Sequence, residues 1–211
     1  MTDALEAITA ARLLPVVVID DARTAPLLAA ALKRGGLSCA EITLRTPAAE
    51  AAIAALAAER DFLVGAGTVM NAAQAARVID AGASFVVTPG FSLQVVRHCQ
   101  ARSVPVFPGV ATATELMAAL DAGIETVKFF PAEQLGGVAT LKALAAPFAT
   151  MRFIPTGGIS VANLAGYLGH PAVRAVGGSW MVAASLIGAG DFGEITRLTA
   201  EAVAIASGGR E

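Results

Sequence analysis

The 211-residue sequence is poor in the residues that crosslink, ligate metals or carry charge: two cysteines, two histidines and three lysines, with 15% charged residues in all. Cys39 and Cys99 fit no disulfide framework and no metal-ligand spacing, as expected of a cytoplasmic protein. A net charge of −2 gives no electrostatic footing for nucleic acid or a membrane surface. Disorder is excluded from the other side. The chain is 55% hydrophobic before its glycines are counted, against about 45–50% with glycine for ordinary globular chains. The first residues (Asp3, Glu6, no basic residue before Arg12) lack the basic start of a secretory signal. Residues 153–173 carry no charge, but Pro155, Pro171, four glycines, Asn163 and His170 would break and polarise any membrane helix there.

What the sequence does have is alternation. Short apolar runs recur at 14–19, 39–44, 62–67, 84–88, 104–107, 125–130, 152–156 and 172–177, starting 20 to 27 residues apart. Between them lie Ala- and Leu-rich segments with helical spacing, as at Leu28, Ala31 and Leu32. Thr46-Pro47 reads as a helix start, Thr112 with Glu115 as a capping box, and Gly36, Gly82 and Gly123 as helix stops. The residues after 190 read as a terminal helix. Strands alternating with helices form parallel βαβ units. Eight such units in this length predict an α/β fold, a (β/α)8 TIM barrel with residues 1–211 as one domain. A doubly wound open sheet is the alternative, but no G-x-G-x-x-G follows the first run.

A barrel places chemistry at the C-terminal ends of its strands, with phosphate after strands seven and eight. Lys128 stands out at such an end, between Val127 and the pair Phe129, Phe130. Period two puts Thr126, Lys128 and Phe130 on one face. If that face is interior, burial without a partner disfavours the ammonium and yields an amine nucleophile for carbonyls. The plain alternative is a lysine whose head snorkels outward. In the second run, Glu41, Thr43 and Arg45 share a face. An inward carboxylate is expensive unless solvated, paired or functional. Glu41 is therefore either a proton carrier or half of an ion pair with Arg45 or Lys128. Arg45 has the planar fork that grips a carboxylate or phosphate.

Thr156-Gly157-Gly158 and Gly177-Gly178-Ser179 end the last two runs. Glycine lets backbone N–H groups approach an anion, and a helix start adds favourable partial charge, although glycine pairs also make simple turns. Thr68 ends the third run, either facing a substrate carboxylate or capping the helix that begins near Asn71; Thr88-Pro89-Gly90 ends the fourth. No His/Asp/Glu grouping has metal spacing, and no Ser/His/Asp triad is supported.

With these residues in view, the sequence resembles the 2-keto-3-deoxy-6-phosphogluconate (KDPG) aldolase family along essentially its whole length. The strongest stretches are Gly36 to Arg45 (GLSCAEITLR) and Gly123 to Gly136 (GIETVKFFPAEQLG), supported by GAGT, TPG, PTGG and GGSW in order. The resemblance implies a class I aldolase that forms a Schiff base at Lys128, with Glu41 as general acid/base and neither metal nor other cofactor. It implies Arg45 and Thr68 for the substrate carboxylate, Pro89 and Phe130 along the pocket, and Thr156 near the substrate hydroxyls. Gly157, Gly158, Gly178 and Ser179 are implied for phosphate. The implied partners are a small 2-keto acid phosphate and further copies of the chain in a homotrimer. The same chemistry would serve the galactonate epimer or 4-hydroxy-2-oxoglutarate. A phosphosugar-binding or isomerase barrel without covalent catalysis is the rival from another class.

Overall fold

The computed structural model describes residues 4–208. Helix α1 (Ala4–Ala11) leads into β1 (Leu13–Val17), α2 (Ala25–Arg34), β2 (Cys39–Thr43), α3 (Ala49–Ala57), β3 (Leu63–Gly67) and α4 (Ala72–Asp80). Then follow β4 (Val86–Val87), α5 (Leu93–Ala101), β5 (Val106–Phe107), β6 (Gly109–Val110), α6 (Ala113–Asp121) and β7 (Thr126–Phe129). The chain continues through α7 (Gly137–Ala145), β8 (Arg152–Pro155), α8 (Val161–Leu168), β9 (Val176–Gly178), α9 (Ala184–Ala189) and α10 (Phe192–Ser207). This is an α/β fold of parallel strands and covering helices.

Every named strand pairing is parallel. A six-stranded sheet runs β5-β4-β3-β2-β1-β9, and a three-stranded sheet runs β6-β7-β8. The expected fifth strand thus appears as two short pieces. Pro108 separates them: it has no N–H to give a ladder, though its carbonyl accepts from Lys128 N–H at 2.9 Å. Between β8 and β9 lie two single bridges, Phe153 to Val173 and Thr156 to Gly177. The observed arrangement is therefore nine strand segments in two sheets, where the sequence pattern counts eight runs in one closed sheet.

Period two sorts the side chains into two cores. Val127 and Phe129 point outward into the large cluster between strands and helices, with Leu28, Ala31 and Leu32 of α2. Inward-facing Leu14, Cys39, Phe85, Val87, Phe107 and Ile154 form a second cluster, plugged from α1 by Ala4 and Ile8. Phe85 and Phe107 meet with ring centroids 5.9 Å apart. This inner cluster is a dry floor that closes the strands at their N-terminal ends.

Most helix punctuation is where the sequence puts it. Thr112 and Glu115 form the reciprocal capping box of α6, and Gly36, Gly82 and Gly123 take positive φ just after α2, α4 and α6. Thr46 is a correction: α3 starts at Ala49 without a side-chain cap, and the Thr46 hydroxyl donates to the Ile19 carbonyl instead. The uncharged stretch 153–173 divides into β8, a glycine turn and the eight-residue α8. No described helix is long and apolar enough to cross a membrane.

Candidate active site

Lys128 and Glu41 meet across the interior. The lysine is 6% exposed and the glutamate 1%, and Lys128 Nζ lies 3.2 Å from Glu41 Oε1. The snorkelling alternative is thereby excluded, and so is the expectation of an unpartnered amine. The ammonium has a carboxylate partner, and it also sits 5.2 Å from the centre of the Phe130 ring. Both groups are buried, so their mutual attraction is screened less by solvent than that of a surface pair. Of the two ion pairs left open by the sequence, the one with Lys128 forms.

The space for Glu41 comes from β3. A β-carbon on Gly67 would stand 2.6 Å from Glu41 Cδ and collide with the carboxylate oxygen. Thr43, one turn of the pleat above Glu41, donates its hydroxyl to the Val17 carbonyl at 2.7 Å. Thr68 takes a positive φ of 58° at the end of β3, while Asn71, and not Thr68, caps α4. Thr68 is thus left for the pocket.

A cavity of ≈ 500 Å³ opens above the pair, at the C-terminal ends of the strands. Lys128, Arg45, Thr68, Pro89, Phe130, Thr156, Gly157, Gly158, Gly178 and Ser179 all line it. Glu41 is not among them, but its carboxylate touches Lys128, which is. The lining contains two cations and no carboxylate. Arg45 is exposed, and its guanidinium has no partner among the described residues. The cavity therefore presents a cation at its rim, an amine on its floor and, on a third side, the glycine turn after β8. That combination suits a small molecule with two anionic ends and a carbonyl between them.

Gly157 and Gly158 both have positive φ, 104° and 75°, which a side chain would strain. Gly178 sits in a different local setting from Gly157 and Gly158. It lies inside β9, and its missing β-carbon makes room for the Trp180 ring, 2.8 Å from Cη2. Trp180 lines the cavity beside it, as do Val182 and Ala184. Sequence reasoning passed over Trp180 as a site residue; its adjacency to the glycine pair in GGSW was the available signal.

The remaining titratable candidates are inert or elsewhere. Burial pushes the Cys39 thiol up to about 12 and the Cys99 thiol to about 11, so neither supplies a thiolate near neutrality. His98 is in α5 and His170 between α8 and β9, outside the cavity lining. No group of three or more His, Cys, Asp or Glu among the described residues could hold a metal ion. A wider hollow of ≈ 910 Å³ lies at the opposite end, lined by residues that lead into strands, such as Pro105, Thr126 and Arg152. Its lining contains no lysine or cysteine.

A buried lysine–carboxylate pair beneath a cation-lined cavity in a parallel α/β fold defines the class: an enzyme built for amine chemistry on an anionic carbonyl compound. The chain belongs to the KDPG and KHG aldolase family, whose family model matches residues 5–198. It is 50% identical over 206 residues to the 2-dehydro-3-deoxy-phosphogluconate aldolase of Treponema pallidum, covering 97% of this chain and 98% of that one. The KDPG aldolase of Zymomonas mobilis ZM4, solved with 3-phosphoglycerate, superposes with a TM-score of 0.91 at 40% identity and 97% coverage of both chains. The Legionella pneumophila KDPG aldolase, with pyruvate captured as a covalent carbinolamine, superposes with a TM-score of 0.90 at 40% identity. That alignment covers 93% of this chain and 96% of the other.

Proposed function

We propose that this protein is a class I aldolase that cleaves 2-keto-3-deoxy-6-phosphogluconate to pyruvate and glyceraldehyde 3-phosphate. The observation that carries the reading is the Lys128–Glu41 pair at the floor of a cavity without a lining carboxylate. Glu41 takes a proton from Lys128, and the neutral amine adds to the C2 ketone. Glu41 returns that proton to the carbinolamine hydroxyl, which leaves as water, giving a protonated imine one bond removed from C3–C4 and a carboxylate ready for the next step. Glu41, directly or through a water, then accepts the C4 hydroxyl proton. The C3–C4 electron pair moves into the imine, glyceraldehyde 3-phosphate departs, and an enamine remains. Protonation at C3 and hydrolysis release pyruvate and restore the amine.

Binding follows from the same lining. Arg45 and Thr68 hold the carboxylate end, Pro89 and Phe130 flank the chain, and Thr156 meets the hydroxyls. Gly157, Gly158, Gly178 and Ser179 receive the phosphate through backbone N–H groups and a hydroxyl. The unphosphorylated 2-keto acid 4-hydroxy-2-oxoglutarate needs the same imine at the same lysine and would be a second substrate.

We read the two sheets as arcs of one closed eight-stave barrel formed by the described residues 4–208 as a single domain; the ends of the expected 1–211 domain lie outside the described residues. The support is that β5 and β6 are consecutive pieces of one stave and that single bridges join β8 to β9. Homotrimerisation is proposed on the resemblance alone. A cytoplasmic setting agrees with two free, buried thiols. The test of the substrate is a side-by-side assay of pyruvate release from the gluconate substrate and its galactonate epimer. Faster turnover per active site of the gluconate compound is expected; preference for the epimer overturns the assignment.

A further inference from the structure

The turn after β8 is held from two sides by groups that do not themselves line the cavity. On one side, Ala132 N–H donates to the Thr156 carbonyl at 2.9 Å and Glu133 N–H to the Gly157 carbonyl at 3.1 Å. On the other side, the Asn163 side chain from the first turn of α8 makes two bonds at once. Its Nδ2 donates to the Gly158 carbonyl at 3.2 Å, and its Oδ1 accepts from Ser160 N–H at 2.8 Å. Reversing the amide would oppose donor to donor and acceptor to acceptor, so the network fixes its orientation. The Tyr167 hydroxyl of α8 donates to Glu133 Oε1, which joins the two sides into one body.

A trans peptide directs its C=O and N–H to opposite sides. With the Gly157 carbonyl turned to Glu133, the Gly158 N–H faces away from it; with the Gly158 carbonyl turned to Asn163, the Ile159 N–H faces away from that side chain. Gly157, Gly158 and Ile159 line the cavity, whereas Glu133 and Asn163 do not. The N–H groups of Gly158 and Ile159 donate to no described residue. Both are unused donors on residues that line the cavity, free to meet an anion there.

We infer that Asn163 is a positioning residue for phosphate: its side-chain amide locks the Gly158–Ile159 peptide with its N–H toward the cavity. This rests on the reading of the glycine turn as the phosphate subsite. Asn163 never touches substrate; it sets the direction of a donor that does. Losing one well-aimed bond to a charged group corresponds to roughly a tenfold or greater loss in affinity.

The experiment compares wild type, Asn163→Ala and Asn163→Asp by three readouts: KM for the phosphorylated substrate, inhibition by inorganic phosphate, and borohydride trapping of pyruvate. Aspartate keeps the acceptor for Ser160 N–H, and with it the helix cap, but cannot donate to Gly158. Both variants are expected to raise KM and the phosphate inhibition constant at least about tenfold, with pyruvate trapping close to wild type. An unchanged KM in either variant overturns the role of Asn163 while leaving the subsite standing. Parallel loss of trapping and affinity in both variants also overturns it, because the residue would then serve the fold at large. If inorganic phosphate fails to compete in the wild type, the subsite reading itself falls, and this inference with it.

Discussion

At the scale of single residues the decisive fact is that Lys128 has a partner. Period two placed both Lys128 and Glu41 on inward faces, but which acid would meet which base was open from the sequence. The answer depends on β2 and β7 facing each other across the interior, a relation between residues 87 apart that no local pattern encodes. The pair also changes what mutagenesis will report. Removing Lys128 strands a buried carboxylate, and breaking a buried pair in this way costs about 3–5 kcal/mol. Loss of activity in Lys128→Ala would therefore mix chemistry with stability. Glu41→Gln is the cleaner variant, because the amide keeps an acceptor for the lysine while giving up the proton relay. Turnover should fall by about 10²–10⁴, with pyruvate binding intact by equilibrium titration. Unchanged turnover would remove Glu41 from the mechanism.

At the scale of elements, the sequence announced the strands through β-branched runs and the helices through caps and glycine stops. What it blurred were the places where a partner, and not the local chain, decides. Pro108 splits a stave because a ladder there needs an N–H it lacks, and α3 begins late because Thr46 bonds to Ile19 and not to its own helix. Gly67 and Gly178 are legible as glycines but not as spaces, since the occupants, Glu41 and Trp180, become neighbours only after folding. The Gly157–Gly158 pair was readable as a place where backbone can approach an anion, and it does form a positive-φ turn, whereas the matching pair Gly177–Gly178 lies inside β9 without positive φ. The Gly157–Gly158 turn carries its own prediction. In Gly158→Val, the branched side chain meets both an unfavourable φ and the Glu133 side chain, 2.6 Å from Cβ. The phosphorylated substrate should then bind at least tenfold more weakly, roughly one hydrogen bond to a charged group, while pyruvate still forms its imine. Equal KM values for the variant and wild type would show that the turn contacts no phosphate.

At the scale of the whole molecule, the fold assigns its two ends different work. The N-terminal ends of the strands are closed by α1 and an apolar floor, and the C-terminal ends open on the cation-lined cavity. An imine formed by a lysine supplies its own electron sink, so the reaction needs no Lewis acid. Exhaustive treatment with EDTA should leave the rate of pyruvate release unchanged, and a loss restored by a divalent ion would move the protein to the metal-dependent aldolases. The most direct test of the central claim uses the unaltered protein: incubation with pyruvate and borohydride, digestion, and mass spectrometry of the peptides. The reduced adduct should appear on the peptide that contains Lys128 and nowhere else, with activity lost in proportion to labelling. An adduct on Lys33 or Lys142, or no adduct with activity retained, would contradict the covalent mechanism.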